Sequence, residues 1–272
     1  MPRYKLTIEY EGNRFSGWQR QLNHPSVQST IERAVKTIFK KEVLVEGAGR
    51  TDAGVHALGQ VAHLDLPYEV PAYRLCDGLN SYLRDRGVAI LNAVLVPDTF
   101  HARLSAIGRV YEYRILNRRA PLVLNANQAW HVIGPLDVLK MKIAATHLLG
   151  HHDFTSFRAT LCQAPSPFKT LDAFDITHTC MPEGNYITAH IASRSFLHNQ
   201  VRIMIGTLKL VGEGRLNPEE IPSILEARDR RASGPTAPPQ GLYFKSIDYE
   251  NIILMFCIAS ALKLWYINRS RS

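Results

Sequence analysis

The sequence predicts an α+β protein built from two similar halves. Short runs rich in β-branched residues alternate with apolar patterns of helical period along the 272 residues. In residues 1–104 these elements follow the order strand, helix, strand, strand, helix, strand, and the same general plan returns afterwards with longer insertions. A content of 46% apolar and 21% charged residues is that of a soluble globular protein with material for a sizeable core.

The first half opens with a strand over 4–10, in which Leu6 and Ile8 share one face. Ser26 can cap the helix that follows, because its hydroxyl can accept a hydrogen bond from a backbone N–H of the first turn. The apolar residues of that helix recur every three or four positions: Val27, Ile31, Ala34, Val35 and Ile38.

Two short strands, 43–45 and 61–64, surround a glycine-rich connection in the middle of this half. Leucines spaced four residues apart predict a second helix over 73–83, and a strand over 88–96 closes the half. This order of six elements is that of ferredoxin-like folds.

The second half begins with a strand over 110–116, whose alternation puts Tyr111 and Tyr113 on one face. The elements expected after it are a helix from about 136 to 149, a loop-like stretch at 151–158, strands at 171–177 and 186–192, helices from about 196 and after 218, and a strand at 242–247. The sequence therefore predicts two ferredoxin-like (RRM-like) α/β halves with antiparallel sheets. The N-terminal domain spans 1–104 and the C-terminal domain spans 105–250.

The charge balance favours a polyanionic partner. The formal net charge is +8 and the isoelectric point is near 9.4. Residues 1–104 carry 13 Lys and Arg against 11 Asp and Glu, and the remainder carries 19 against 13. A basic protein of this kind suits nucleic acid, although ordinary charge for solubility is the alternative.

The cysteines and the N-terminus favour a cytoplasmic protein. The four cysteines are scattered without a C-x-x-C pair, which predicts neither a zinc site nor a disulfide framework. The chain enters a strand within its first few residues and has no apolar signal core there, so secretion is not expected.

The stretch at 47–60 is the most informative in the chain. It places four glycines around one carboxylate, Asp52, with Arg50 two residues before it. Glycine permits backbone conformations and close approaches that a Cβ would block, so Asp52 is expected on a tight connection between strands. The alternative is an Asp that merely closes an Asx turn. The spacing is that of neither a dinucleotide fingerprint nor a P-loop.

The order Gly-Arg-Thr-Asp-Ala-Gly-Val-His-Ala at 49–57 resembles the signature of the tRNA pseudouridine synthases of the TruA family. Other stretches that resemble this family, in its order, lie at 15–20, 100–106, 109–113, 152–158, 196–202 and 237–242. The resemblance covers roughly residues 3–249. Leu64 and Leu104 stand where the family often has Phe, a departure that concerns packing.

The resemblance implies a role for each matching residue. Asp52 would be the nucleophile, Tyr111 the active-site tyrosine, and Arg202 the arginine that pairs with the aspartate. Arg50 would help to hold the target base out of its stack, and Leu242 would line the pocket. These roles are consistent with the chemistry, because an aspartate attacks only when ionised and a nearby arginine favours that form.

The loop at 15–21 adds Trp18 and Arg20 as candidate substrate contacts. An arginine beside a tryptophan suits base stacking and phosphate contacts on RNA. The alternative is a turn that its tryptophan anchors to the core.

The activity that the resemblance implies is isomerisation of uridine to pseudouridine at positions 38, 39 and 40 in the anticodon arm of tRNA. The family acts as homodimers, and Asp52 would lie in a basic cleft between the two halves. Both C6 of the base and C1′ of the sugar stay open as the point of attack. Nothing is oxidised, reduced or hydrolysed, so no cofactor or metal is expected; the pair His151 and His152 has no third ligand nearby in the sequence.

Two other functions compete with this one. An RNA-binding protein could use the same scaffold without activity, but it would not need Asp52, Tyr111 and Arg202 together. A metal-independent hydrolase would want a second carboxylate or a Ser-His pair, and neither forms a convincing unit.

An apolar tail at 251–272 is atypical of the family. Its sixteen-residue apolar run would span roughly 24 Å as a helix, less than the roughly 30 Å of a hydrocarbon core, and Lys263 would lie inside. We expect this tail to pack against the body of the protein or a dimer partner, since exposed apolar surface favours association. Membrane contact and disorder are the alternatives, and no stable membrane association is expected.

Overall fold

The computed structural model describes residues 1–250, which form one sheet with helices. The expectation for the tail at 251–272 lies outside the described residues. The strands are β1 (Arg3–Tyr10), β2 (Glu46–Gly47), β3 (His56–Asp65), β4 (Val88–Val96), β5 (Ala106–Asn117), β6 (Trp130–Val132), β7 (Gly150–Asp153), β8 (Phe168–Met181), β9 (Gly184–Ser193) and β10 (Leu242–Tyr249). The α-helices are α1 (Val27–Phe39), α2 (Ala72–Leu83), α3 (Val138–Thr146), α4 (Gln200–Gly212) and α5 (Ile221–Ala227). The predicted α+β class is confirmed.

The ten strands form a single, mostly antiparallel sheet. Its main order is β4-β1-β3-β10-β5-β9-β8-β7, with β2 beside β3 and β6 beside β5. Within the first half the order is β4-β1-β3-β2, and within the second half it is β10-β5-β9-β8. Each order contains four strands, β1 to β4 in the first half and β5, β8, β9 and β10 in the second. When each set is numbered along the chain, both orders are fourth, first, third, second. Each half also has a pair of packed helices, α1 with α2 and α3 with α4.

Strand β10 joins the halves into one sheet. It pairs in parallel with the start of β3, through Tyr243 opposite His56 and Phe244 opposite Ala57. On its other side it runs antiparallel to β5 along most of its length. The last strand of the described chain is thus central in the sheet.

The helices of the first half begin and pack as the sequence predicts. The Ser26 side chain accepts a hydrogen bond from the Ser29 N–H at 3.2 Å and caps α1. Of the five apolar residues expected on its inner face, four are buried and Ile38 is exposed. The three leucines of α2 are all buried, which is what their four-residue spacing requires.

The strand predicted at 43–45 is wrong, because β2 covers only the two residues after it. The Val45 N–H donates to Oε1 of Glu32 at 3.3 Å, and the Val45 carbonyl accepts from Nε2 of Gln28 at 3.1 Å. Side chains of α1 therefore take the backbone groups that a strand would offer to its neighbour.

Three local differences appear in the second half. The stretch expected to be loop-like starts within β7, which pairs with β8 at the edge of the sheet. The short strand β6 was not expected. The helix expected from about 196 begins at Gln200, because Asn199 before it has a φ of +61° and interrupts the helical backbone.

The core holds large side chains from both halves. Tyr4, Tyr113, Phe154, Phe157 and Phe244 are among the fully buried ones. The main cluster of buried apolar residues includes members of every α-helix in the described chain. No helix within residues 1–250 has the length and the apolar content needed to cross a membrane.

The central position of β10 predicts a large effect of truncating Phe244, which is fully buried. Phe244→Ala is expected to lower the free energy of unfolding by about 3–5 kcal/mol, because it leaves a cavity where the halves meet. Urea unfolding followed by circular dichroism measures this change. The matched control is Phe168→Ala on an exposed side chain, with an expected loss below about 1 kcal/mol. Equal losses for the two variants would contradict a core shared across β10.

Candidate active site

Asp52 lies on the connection between β2 and β3, at a tight turn. The backbone carbonyl of Asp52 accepts a hydrogen bond from the Val55 N–H at 3.2 Å. Gly54 has a φ of +81°, the value that the third position of a type II turn requires. The backbone of Asp52 closes this turn, so its carboxylate is left for contacts elsewhere.

Trp18 contacts β2 and the connection that follows it. Its backbone N–H donates to the Thr51 carbonyl at 3.1 Å, and the hydroxyls of Tyr10 and Thr51 are 2.8 Å apart. A Cβ on Gly47 would lie 2.5 Å from the Trp18 indole, so glycine is required for this close approach. The Trp18 side chain is only 2% exposed. The structure thus gives Trp18 the anchoring position that the sequence left as an alternative to substrate contact.

The Asp52 carboxylate has one partner on each oxygen. Nη1 of Arg202 lies 3.3 Å from Oδ2, and Nε2 of His198 lies 3.3 Å from Oδ1. Both partners come from the second half of the chain, so the site is assembled across the two halves. The pairing of Asp52 with Arg202 is present as the resemblance implied.

An open cleft of about 480 Å³ surrounds the carboxylate. The residues that line it are Ser16, Gln19, Gln21, Arg50, Thr51, Asp52, Ala53, His198, Asn199 and Arg202. Two of these residues, Arg50 and Arg202, carry positive charge. A cleft with this polar lining is accessible to a charged substrate.

Arg202 is held firmly within the first turn of α4. Its Nε donates to the Ala237 carbonyl at 2.7 Å, and its Nη1 also donates to Oδ1 of Asn199 at 2.9 Å. The side chain is 15% exposed. This arginine therefore presents a fixed positive charge to the Asp52 carboxylate.

Tyr111 on β5 and Leu242 on β10 are buried on neighbouring strands, two residues apart in register, and neither is among the residues that line the cleft. The Tyr111 ring stacks on Phe244, with ring centres 4.8 Å apart, and meets Phe196 edge to face at 5.1 Å. Burial is the main cause that raises the pKa of Tyr111 well above its usual value, and the charge of Asp52 adds to the increase. The phenol is therefore protonated at neutral pH and can donate a hydrogen bond.

Of the remaining predicted site residues, Arg50 lies in the cleft and Arg20 lies apart from it. Arg50 is exposed at the edge of the cleft. The Arg20 guanidinium pairs with Glu32 at 3.4 Å, and its backbone N–H donates to Gln28 at 3.0 Å, both on α1. The structure thus brings Asp52, Arg50 and Arg202 into one cleft and turns Arg20 toward α1.

His198 was not singled out by the sequence, although it lies within a stretch that carries the family resemblance. It stands four residues before Arg202, but the turn at Asn199 separates it from the helix, so helical spacing gives no signal. The structure reveals it because the turn brings the imidazole to Asp52.

One group of possible metal-binding side chains comes together among residues 1–250: Glu46, His63 and His101. The Ala102 N–H donates to Nδ1 of His63 at 3.3 Å, and the Arg103 N–H donates to Nδ1 of His101 at 3.1 Å. Each neutral ring therefore carries its proton on Nε2, which faces the Glu46 carboxylate. A metal could bind only a nitrogen that carries no proton. The contacts of Glu46 with His63 and His101 therefore fit a structural role better than a metal site, and they connect β2, β3 and the segment between the halves.

A displayed carboxylate that is paired with an arginine and a histidine in an open cleft is characteristic of an enzyme that uses aspartate for covalent or acid–base chemistry. The family model described as tRNA pseudouridine synthase matches this chain at residues 6–104 and 144–250. The chain belongs to the tRNA pseudouridine synthase family, whose members are isomerases that act on tRNA. The predicted family is confirmed.

Relatives cover nearly the whole chain. A protein of Rhizobium meliloti named tRNA pseudouridine synthase A is 53% identical over 251 residues, 92% of this chain and 100% of its own length. Proteins of the same name from Paramagnetospirillum magneticum and Nitrobacter hamburgensis are 52% and 53% identical, over 92% of this chain and 96% and 100% of theirs. A chain from a crystal structure of a Cbf5-Nop10-Gar1 complex aligns with a TM-score of 0.32 and 10% identity, over 75% of this chain and 53% of its own. That similarity is too low to support an argument.

The cluster of Glu46, His63 and His101 predicts a pH-dependent stability. Burial lowers the pKa of His63, and the charge of Arg3 lowers it further. Burial also lowers the pKa of His56. Below about pH 6.5 these two histidines bind protons more readily in the unfolded chain than in the folded protein. The free energy of unfolding therefore falls as the pH drops through this value.

Urea unfolding between about pH 5 and 8 measures this effect, and the slope that one histidine adds is at most about 1.4 kcal/mol per pH unit. His63→Gln is expected to flatten the slope, while His24→Gln, at an exposed loop position, is expected to leave it unchanged. A stability that rises on acidification would contradict the predicted sign.

Proposed function

We propose that the chain converts uridine to pseudouridine at positions 38, 39 and 40 in the anticodon arm of tRNA, with Asp52 as the nucleophile. The observation that carries this proposal is the Asp52 carboxylate, 37% exposed in the cleft and paired with Arg202, within the stretch that matches the family. Membership of the tRNA pseudouridine synthase family supports the substrate class.

The geometry suits covalent catalysis by an ionised carboxylate. Nη1 of Arg202 contacts Oδ2, and the Asp52 side chain remains 37% exposed and accessible to a nucleotide that has left its stack. Extruding that nucleotide costs a few kcal/mol, and Arg50 at the edge of the cleft is placed to interact with the displaced strand. Attack at C6 of the base and attack at C1′ of the sugar both use this same carboxylate.

We assign the apolar contact with the target base to Tyr111 and Leu242, which are buried on β5 and β10. Tyr111 is 9% exposed, with one ring face covered by Phe244. Its protonated hydroxyl can donate to a polar atom of the base, since burial disfavours the phenolate. Trp18 supports the Asp52 loop, and Arg20 lies on the α1 side of the same connection.

The proposal extends to the organisation of the whole protein. The two halves, 1–104 and 105–250, are ferredoxin-like units whose junction forms a basic cleft for RNA. Their common strand order supports this division, and the presence of Arg50 and Arg202 in the lining of the cleft supports its basic character. We further propose a cytoplasmic homodimer that uses neither metal nor cofactor for the isomerisation.

Asp52→Asn tests the nucleophile, because the amide keeps the size of the side chain and loses its negative charge. Pseudouridine formation is expected to fall by at least about 10³-fold, as when a covalent catalyst loses its nucleophile, while tRNA binding persists. A single-turnover assay on tRNA with mass-spectrometric detection of pseudouridine measures the loss.

The matched control is Asp172→Asn on the exposed face of β8, which is expected to keep full activity. Peptide mass analysis excludes deamidation back to aspartate in the Asp52→Asn protein. Turnover near the wild-type rate in that protein would refute the nucleophile assignment, and tRNA binding without turnover in the wild type would favour the RNA-binding alternative.

The net charge of +8 predicts that tRNA affinity depends strongly on salt, since bound cations are released when arginines meet phosphates. A contact with about five phosphates would give a slope of log K against log salt of about −4. Fluorescence anisotropy with labelled tRNA at several salt concentrations measures this slope. Arg50→Gln is expected to reduce the slope by about one, and a flat response in the wild type would contradict the basic cleft.

A further inference from the structure

The two oxygens of the Asp52 carboxylate have partners that differ in exposure. Arg202, on Oδ2, makes two further hydrogen bonds and is 15% exposed. His198, on Oδ1, is 45% exposed. Among residues 1–250, Asp52 is the polar partner of the His198 imidazole. Oδ1 therefore lies on the more open side of the carboxylate, from which a nucleotide can approach.

The backbone around His198 is fixed even though its side chain is exposed. The His198 carbonyl accepts from the Ala159 N–H at 3.0 Å, and the Leu197 N–H donates to Oε1 of Gln200 at 2.8 Å. Asn199 adopts the left-handed conformation, with a φ of +61°, which is uncommon outside glycine. This turn keeps Nε2 within 3.3 Å of Oδ1.

We propose that His198 is a positioning residue for the reaction: its Nε2, 3.3 Å from Oδ1, turns its N–H toward that oxygen when RNA binds and so fixes the plane of the nucleophilic carboxylate. An ionised carboxylate oxygen has two lone pairs, so one can accept from His198 while the other meets the substrate. Arg202 holds the opposite oxygen, and the two donors together define the direction of attack. This proposal rests on the proposed function of Asp52.

Two substitutions separate positioning from a structural role. His198→Ala removes the donor, and a misoriented nucleophile is expected to lower kcat by at least about tenfold. His198→Gln keeps an N–H donor at similar reach and is expected to restore kcat to within about threefold of wild type, whereas the Kd for RNA stays the same in both variants. The assay uses full-length protein and an anticodon stem-loop RNA with uridine at position 39.

The controls distinguish the ways in which this proposal can fail. His178→Ala, at an exposed position on β8 outside the cleft, is expected to match wild type, and unfolding curves should be the same for all variants. An unchanged kcat in His198→Ala, a Kd that weakens in proportion to the lost activity, or no rescue by His198→Gln would overturn the positioning role. An inactive wild type would instead refute the proposed function itself.

Discussion

The parallel pairing of β10 with the start of β3 is the contact on which the site depends. Tyr243 and Phe244 lie opposite His56 and Ala57, only a few residues after Asp52. The Phe244 ring also stacks on Tyr111 from β5. Because β10 contacts both neighbours, it sets the distance from the Asp52 loop to the second half, which supplies Arg202 and His198. A shift in that pairing would separate the carboxylate from both partners.

The environment of Asp52 combines a rigid side with an open side. Arg202 is fixed by hydrogen bonds to Ala237 and Asn199, and Trp18 packs beneath the loop. The cleft is open, and Arg50 in its lining is exposed to solvent. Preorganised donors act most effectively on a reacting group when they need no rearrangement, and an open side is needed to admit a nucleotide as large as a flipped uridine.

The sequence was most informative where short-range forces act. Ser26 capped α1, and the leucine spacing of α2 placed its buried face, because both depend on residues within one or two turns. The strand at 43–45 failed because Gln28 and Glu32 of α1 compete for its backbone groups, a contact that sequence patterns do not record. Asp52 and Arg202 could be named from the family resemblance. His198 could not, because its approach to Asp52 depends on the left-handed turn at Asn199.

The central place of β10 has a consequence for how the protein is made on the ribosome. Residues 1–104 emerge well before residue 242, so the edge of β3 that later receives β10 stays unpaired while most of the second half is synthesised. Unpaired strand edges promote association between chains, and the buried faces of Phe244 and Tyr111 can meet only once β10 is in place. A nascent chain that ends before residue 242 therefore lacks the strand that joins the two halves of the sheet.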